Sequence, residues 1–135
     1  MLYRLHTGWN VAHVSQVNVM YLVSTTKAVQ GANLPFVFTD GHGLAAITEW
    51  FDDLTQLMLV DWSAVNLNFW NDTPDAMDCQ RRKQAEFLIH RSLPWELIEK
   101  IAVFSHAAKV HVESMLAWYP TSHRPSVAVE PSWYY

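Results

Sequence analysis

The segment from Arg81 to Ile89 (RRKQAEFLI) holds the residues whose types and spacing best suit chemistry. Three consecutive cations, Arg81, Arg82 and Lys83, run into an apolar stretch that carries a single carboxylate, Glu86. A carboxylate held in a cleft can fix a sugar hydroxyl and oppose positive charge that develops on a ribose carbon. Cations just upstream can grip phosphates. The alternative is a solvated basic loop followed by an exposed glutamate, because charged side chains lie mostly on protein surfaces.

The residues around Glu86 predict a strand with apolar side chains on both faces. In a strand over residues 84–90, Glu86, Leu88 and His90 share one face, while Phe87 and Ile89 share the other. Because both faces are mostly apolar, we expect this strand to be central in its sheet. Its carboxylate should then face a cleft rather than open water.

The elements before this strand alternate between strand and helix patterns. Residues 16–24 alternate with period two, which predicts a half-buried strand, and a helical turn over residues 26–30 closes at Gly31. Residues 36–38 (FVF) predict an aromatic strand. From Gly43 apolar residues recur at spacings of three and four, which predicts an amphipathic helix capped by Thr39 or Asp40. The apolar stripe of that helix would consist of Leu44, Ile47, Phe51, Leu54 and Met58.

The remaining elements complete an α+β pattern. Residues 61–78 predict an irregular loop with one helical turn, and a loop of this length is often functional. Pro94 opens a short helix, residues 101–104 form a buried strand, and Ser105 caps a helix through Trp118. Residues 126–130 form a last strand. Strands and helices without regular alternation predict an α+β fold with a mostly antiparallel sheet.

Composition narrows the class of protein. A chain of 135 residues fits a single domain over residues 1–135, and a charged fraction of 16% argues against disorder. A net charge of -4 excludes a wholly basic nucleic-acid coat, so contact with a polyanion needs a local cluster of cations. The single cysteine, Cys79, fits a reducing compartment. No signal peptide or membrane span is evident, and we expect a cytoplasmic protein without membrane contact.

Two other kinds of site are weaker hypotheses. Seven histidines without an HExxH pattern or cysteine partners predict no metal site. His42 follows a strand and opens the predicted helix, where backbone donors can meet a phosphate. The turn before it can equally be structural, with Gly41 supplying the backbone angle. Cys79 adjoins the basic triplet, which can activate a thiol, although an inert thiol is the commoner case.

The segment RRKQAEFLI, with PWELIEKI close behind, resembles the stretch around the catalytic glutamate of DarT-type ADP-ribosyltransferases. Other segments resemble the same family in the same order, so the resemblance covers essentially all 135 residues. These segments are MLYRLHTG, VMYLVSTTKAV, LPFVFTDGH, FDDL with VDW, and SHRP with VEPSWYY. Several ordered matches are far more specific than any one motif.

This resemblance implies a fold and an activity. The fold is that of ADP-ribosyltransferases, a split antiparallel sheet with helices around an NAD cleft, and here it is expected to be incomplete. The activity is transfer of ADP-ribose from NAD to a thymine base in single-stranded DNA. Members of the family act as bacterial toxins paired with a macrodomain antitoxin that removes the modification.

The resemblance also implies roles for individual residues. Glu86 is the catalytic glutamate, which orients the NAD ribose and stabilises the oxocarbenium-like transition state. Tyr3 is a candidate for NAD binding, because its segment resembles one that lies beside the nicotinamide pocket in the wider superfamily, and His42 is a second candidate on the phosphate argument given above. The loop before the catalytic strand recognises the substrate, and its Trp70 stacks on an extruded base. Trp62, Asn66 and Phe69 of the same loop are further candidates, although a plain surface role stays open for each.

The same analogy places Arg81, Arg82 and Lys83 against the DNA backbone. Family members carry roughly a further half-domain before the point that matches Met1, with a histidine that grips NAD and an arginine treated as catalytic. This chain is thus expected to be the C-terminal part of a DarT-like domain and to transfer little by itself, while an extended version transfers. The alternative function is that of an inactive remnant that binds nucleic acid or an antitoxin without turnover.

Overall fold

The computed structural model describes residues 8, 12–67, 69 and 71–134. The chain divides by its internal contacts into two compact units, which we call the terminal unit (residues 1–28 and 94–135) and the central unit (residues 29–93). The single domain predicted from the sequence stays a prediction. Within the described residues, no helix is both long enough and apolar enough to cross a membrane.

A three-stranded antiparallel sheet organises the central unit. Its strands are β2 (Phe36–Thr39), β3 (Trp50–Phe51) and β4 (Phe87–Ile89), and β2 lies between the other two. Phe38 is 1% exposed and packs against Phe51 and Phe87, with ring centroids 5.2 and 6.3 Å away. The predicted aromatic strand is therefore confirmed. The strand predicted over residues 84–90 is shorter, since β4 leaves out Glu86, and its predicted central position is wrong, since β4 pairs only with β2 among the described residues.

The amphipathic helix predicted after Gly43 does not form. Turns, strand β3 and a 3₁₀ helix (Leu54–Leu59) occupy that segment instead. Two contacts explain the difference: an Asp40 side-chain oxygen accepts the Glu49 N–H at 2.9 Å, and Thr48 Oγ1 donates to His42 O at 2.7 Å. These bonds close a compact turn, and Asp40 caps no helix. Part of the predicted apolar stripe is therefore exposed: Leu44 by 91%, Ile47 by 68% and Met58 by 81%.

The first short helix runs from the terminal unit into the central unit, and two others lie within the central unit. Helix α1 spans Thr26–Gly31, but the left-handed residue after it is Asn33, with φ of 52°, and the predicted cap at Gly31 is wrong. Helix α2 (Trp62–Val65) is the single turn predicted inside the long loop, and Asp61 caps it by accepting the Ala64 N–H at 2.9 Å. Helix α3 (Cys79–Arg82) carries the first two cations of the basic triplet.

The terminal unit holds a second three-stranded sheet. Strands β1 (Met20–Val23), β5 (Lys100–Val103) and β6 (Ser126–Val129) lie in that order; β5 is antiparallel to β1 and parallel to β6. The buried strand predicted at residues 101–104 is confirmed, while the strand predicted over 16–24 is shorter, because Gln16–Asn18 forms a 3₁₀ turn. Ser105 caps helix α4 (His106–Trp118), as predicted. Three of the four strand pairings among the described residues are antiparallel.

Candidate active site

The backbone of Glu86 is fixed by a fully buried threonine. Thr39, at the end of β2, is 0% exposed, and its N–H donates to Glu86 O at 2.9 Å. The Glu86 N–H donates to Thr39 Oγ1 at 3.0 Å, and the same hydroxyl donates to Gly41 O at 2.6 Å. One side chain thus ties the residue before β4 to the turn after β2.

The two faces of the central sheet have different characters. Thr39 pairs with Trp50 on one side and bonds Glu86 on the other, so these three side chains share a face. The neighbouring pairs of Phe38 with Phe51 and Phe87 supply the buried aromatic face. Glu86 itself is exposed. Its carboxylate therefore lies on an accessible face of the sheet, opposite the core.

A glycine turn packs closely against this row. A methyl group added at Gly43 would lie 2.9 Å from Glu86 Oε2 and 3.3 Å from the ring of Trp50. The carboxylate and the indole therefore flank one backbone position. At Gly41 the same addition would collide with the Arg81 guanidinium and stand 2.9 Å from its Cγ. Gly41 has no positive φ, so close approach explains the glycine, and the backbone angle considered as the structural alternative does not.

Arg81, the first cation of the triplet, bonds other side chains of the central unit. Arg81 Nη1 donates to Asp40 at 2.9 Å and to Thr48 Oγ1 at 3.2 Å, while its Nε and Nη2 bond Asp78 at 2.8–2.9 Å. Its side chain is only 13% exposed. Hydrogen bonds to Asp78 and Asp40 raise the pKa of the Arg81 guanidinium, which stays charged. Burial tends to raise the pKa of Asp40, but bonds from Arg81 and the Glu49 N–H outweigh it, and that pKa is lowered.

The other two cations hold the long loop. Arg82 Nη1 lies 2.5 Å from Asp61 Oδ2, and its Nη2 donates to Met77 O at 2.6 Å. Lys83 Nζ donates to the carbonyl oxygens of Val65, at 2.9 Å, and Leu67. All three cations therefore have partners in the loop or the turn beside Glu86, which the basic run alone did not reveal. Their contact with DNA stays a prediction.

His42 lies in the turn without starting a helix. Its N–H donates to Arg81 O at 2.9 Å, and its carbonyl accepts from Ala45 N–H and Thr48 Oγ1. The helix-terminus argument for a phosphate site is therefore wrong. The ring differs from the backbone: Nδ1 is buried and has no hydrogen-bond partner among the described residues. A ligand that reaches this atom would satisfy it.

The structure describes some of the residues predicted to bind the base or NAD and does not describe others. Trp62 is 51% exposed with its Nε1 bonded to Leu57 O at 2.9 Å, and Phe69 is 45% exposed. Asn66 is exposed and donates to Trp62 O at 2.8 Å. Trp70 and Tyr3 lie outside the described residues, so their predicted roles stay predictions.

Two further observations concern thiol chemistry and metal binding. Cys79 is 0% exposed and packs inside the unit, which fits the inert alternative for this thiol. Over the part of the chain that the structure describes, His, Cys, Asp and Glu side chains form no group of three or more that could hold a metal ion.

Sequence reasoning missed Thr39, Gly43 and Trp50 as members of this site. The signal for Thr39 was present, since a threonine that ends an aromatic strand faces away from the core phenylalanines. Trp50 was placed inside a predicted helix, which hid its strand pairing with Thr39. Gly43 carried no signal beyond its residue type.

Replacing Thr39 by valine tests the tie to Glu86. The change keeps the shape and removes the hydroxyl, which leaves the Glu86 N–H and Gly41 O without their partner in a dry site. We expect a loss of about 1–3 kcal/mol in the free energy of unfolding, measured by urea denaturation. Thr39→Ser keeps the hydroxyl and should recover most of the hydrogen-bond contribution. Equal stability of the valine variant and the original chain would contradict this account.

Comparison with known proteins identifies the family. The sequence matches the family model described as "ssDNA thymidine ADP-ribosyltransferase, DarT" over residues 1–135. A DNA ADP-ribosyl transferase of Thermus sp. (strain 2.9) is 39% identical over 135 residues, which are 100% of this chain and 63% of that relative. This chain therefore spans less than two thirds of the relative's length.

Solved structures agree with the sequence match. Thermus sp. 2.9 DarT in complex with NAD+ superposes with a TM-score of 0.91 at 38% identity, covering 99% of this chain and 66% of that one. The same protein in complex with ADP-ribosylated ssDNA also gives a TM-score of 0.91 at 38% identity, covering 99% and 63%. These likenesses confirm the predicted α+β, ADP-ribosyltransferase-like fold. With the family match across its whole length, this chain belongs to the DarT family of ssDNA thymidine ADP-ribosyltransferases.

Proposed function

We propose that this chain takes part in the transfer of ADP-ribose from NAD to a thymine base of single-stranded DNA, with Glu86 as the catalytic residue. One observation carries the proposal: Glu86 stands on the accessible face of the central sheet, with its backbone bonded to buried Thr39. The family match and the Thermus protein solved with NAD+ and with ADP-ribosylated ssDNA support both substrates.

The chemistry asked of Glu86 is electrostatic. As the bond between nicotinamide and ribose C1′ breaks, positive charge develops on the ribose, and a fixed carboxylate opposes that charge. The carboxylate also accepts a ribose hydroxyl, which orients the sugar for attack. The ring nitrogen of thymine then bonds to C1′, and its proton passes to the carboxylate. Rigid placement matters here, because a preformed charge needs no reorganisation during the reaction.

The surroundings of Glu86 support roles for other residues. The Nδ1 of His42 is buried and has no hydrogen-bond partner in the part of the chain that the structure describes, which supports the prediction that this side chain meets NAD. Exposed rings at Trp62 and Phe69 support base stacking by the long loop. Arg81 pairs with Asp40, and Arg82 pairs with Asp61. These ion pairs support a role of both arginines in shaping the loop, and an effect on DNA binding through the conformation of the loop.

Labelled NAD tests the proposed activity directly. This chain, and a version extended by the preceding half-domain, are each incubated with NAD labelled in the adenylate and with a single-stranded oligonucleotide that contains one thymine, or a matched one with cytosine in that place. We expect the extended version to label the thymine oligonucleotide alone and this chain by itself to label little. Label on neither oligonucleotide with the extended version contradicts the transferase activity, and label on both contradicts thymine specificity. Binding of the oligonucleotide without transfer would favour the alternative of a non-catalytic binding module.

The biological setting is a wider proposal. The family resemblance alone supports a role as a toxin in the cytoplasm and a macrodomain antitoxin as partner. Growth arrest on induced expression, relieved by a co-expressed macrodomain that removes ADP-ribose from DNA, would support that setting.

A further inference from the structure

Trp50 occupies a position that the proposed chemistry has not used. It is the first residue of β3, and its neighbour Phe51 is 9% exposed and packs with Phe38 in the core. Adjacent residues of a strand point to opposite faces, so the indole lies on the same face as Thr39 and Glu86. Trp50 is 52% exposed. The core therefore does not account for this side chain.

The indole is held beside the carboxylate by the glycine turn. Both the edge of the Trp50 ring and Oε2 of Glu86 meet the position where a methyl group on Gly43 would stand, at 3.3 and 2.9 Å. Gly43 thus allows the turn to pack against both groups at once. Trp50 pairs with Thr39 across the two strands, and Thr39 also bonds the backbone of Glu86. The same residue therefore holds the backbones of both Trp50 and Glu86. The ring and the carboxylate are two walls of one site.

We propose that Trp50 is a stacking wall for a flat heteroaromatic ring bound beside Glu86. An exposed, preformed indole offers a large apolar surface that stacks on such rings whatever their hydrogen-bonding edge. The inference rests on the proposed function, in which two rings of this chemistry approach Glu86: the nicotinamide of NAD and the acceptor base. Both are planar and nitrogen-containing, and the experiment distinguishes them.

The exposed neighbours of Trp50 do not offer the same surface. Leu44, which follows Gly43 in the glycine turn, is 91% exposed but carries a branched aliphatic chain without a flat face. This makes Leu44 a suitable control: it is a large apolar residue on the same turn that takes no part in the proposed stack.

The test compares Trp50→Ala, Trp50→Phe and Leu44→Ala, each made in the extended version that is expected to transfer, in steady-state transfer with NAD and the thymine oligonucleotide varied in turn. Loss of a stacking ring should raise the relevant KM by roughly ten- to a hundred-fold. A raised KM for the oligonucleotide identifies the acceptor base, and a raised KM for NAD identifies nicotinamide. Trp50→Phe should recover most of the loss, and Leu44→Ala should stay within about two-fold of the original chain.

A second measurement separates this inference from the proposed function. Binding of NAD and of the oligonucleotide is measured by calorimetry for the original chain and for both Trp50 variants, whether or not transfer occurs. Weaker binding of one ligand to Trp50→Ala, restored in Trp50→Phe, supports the stacking wall even if transfer is absent. Unchanged binding and KM values in Trp50→Ala overturn it, as does an equal loss in Trp50→Phe or Leu44→Ala. If transfer is absent but binding responds to Trp50, the proposed activity alone fails.

Discussion

Replacing Glu86 by glutamine is expected to lower the rate of ADP-ribose transfer by about a hundred- to a thousand-fold. Glutamine keeps the size of the side chain and can still accept a hydrogen bond, but it carries no charge to oppose the positive charge on the ribose. The interaction that is lost belongs to the transition state, so kcat should fall while the KM for NAD changes little. Measuring both constants in the extended version, which is the one expected to transfer, with labelled NAD and a thymine oligonucleotide gives this division.

A matched control shows whether the loss is specific to position 86. Glu96 is also exposed and lies in a 3₁₀ turn of the terminal unit. Glu96→Gln makes the same chemical change and should keep the transfer rate within about two-fold of the original. Because Glu86 is exposed, the glutamine variant should also unfold at the same urea concentration as the original. Transfer by Glu86→Gln at the rate of the Glu96→Gln control would remove Glu86 from the mechanism.

Local sequence patterns predicted the elements whose partners are near in the chain. Ser105 before an apolar run gave the start of helix α4, and the FVF triplet gave strand β2. The predicted loop with one helical turn also formed, because Asp61 lies three residues before the N–H that it caps. For helix α4 and the turn in the loop, the capping contact is made within three residues, where sequence spacing reports it directly. Strand β2 pairs with distant strands, and its apolar composition alone predicted it.

The largest error arose where distant contacts decide the structure. The apolar residues from Leu44 to Met58 have helical spacing, yet Leu44 and Met58 are exposed and only Phe51 is in the core. The turn is instead closed by Asp40 with Glu49, and Phe51 pairs across the sheet with Phe38. Tertiary pairing therefore overrode the local preference for a helix. Because Trp50 lay inside the wrongly predicted helix, it was also left out of the predicted site.

The basic triplet shows why a site is harder to predict than a strand. Three adjacent cations predict a phosphate-binding surface as long as their partners elsewhere in the chain are unknown. Asp78 pairs with Arg81 from three residues away, but two other carboxylates that pair with the arginines, Asp40 and Asp61, lie 41 and 21 residues earlier in the chain. Sequence spacing does not report such distances, since they depend on how the sheet and the long loop fold back. Glu86 was singled out because a carboxylate next to an apolar run is unusual in itself, and its catalytic role, which came from the family resemblance, stays a prediction.

Arg81→Ala is expected to destabilise the chain by roughly 2–4 kcal/mol at pH 7. The guanidinium joins Asp40 and Thr48 in the turn to Asp78 before α3, and its removal leaves two carboxylates without their partner. The expected loss lies below that of a fully buried pair because Asp78 is 36% exposed. Arg124 is exposed, so Arg124→Ala should change the free energy of unfolding by no more than about 0.5 kcal/mol.

The loss caused by Arg81→Ala should depend on pH, and Asp40 sets the sign. Arg81 helps to lower the pKa of Asp40 below its ordinary 3.8, so this stabilisation is complete above 3.8 and disappears as the pH falls through the lowered pKa. The difference in unfolding free energy between the original chain and Arg81→Ala should therefore be largest near neutral pH and shrink in acid. Urea denaturation at a series of pH values measures it, and Asp40→Asn should flatten the dependence. A difference that stays constant from neutral to acidic pH would show that the Asp40 ion pair contributes nothing, and that Arg81 acts only through packing and neutral hydrogen bonds.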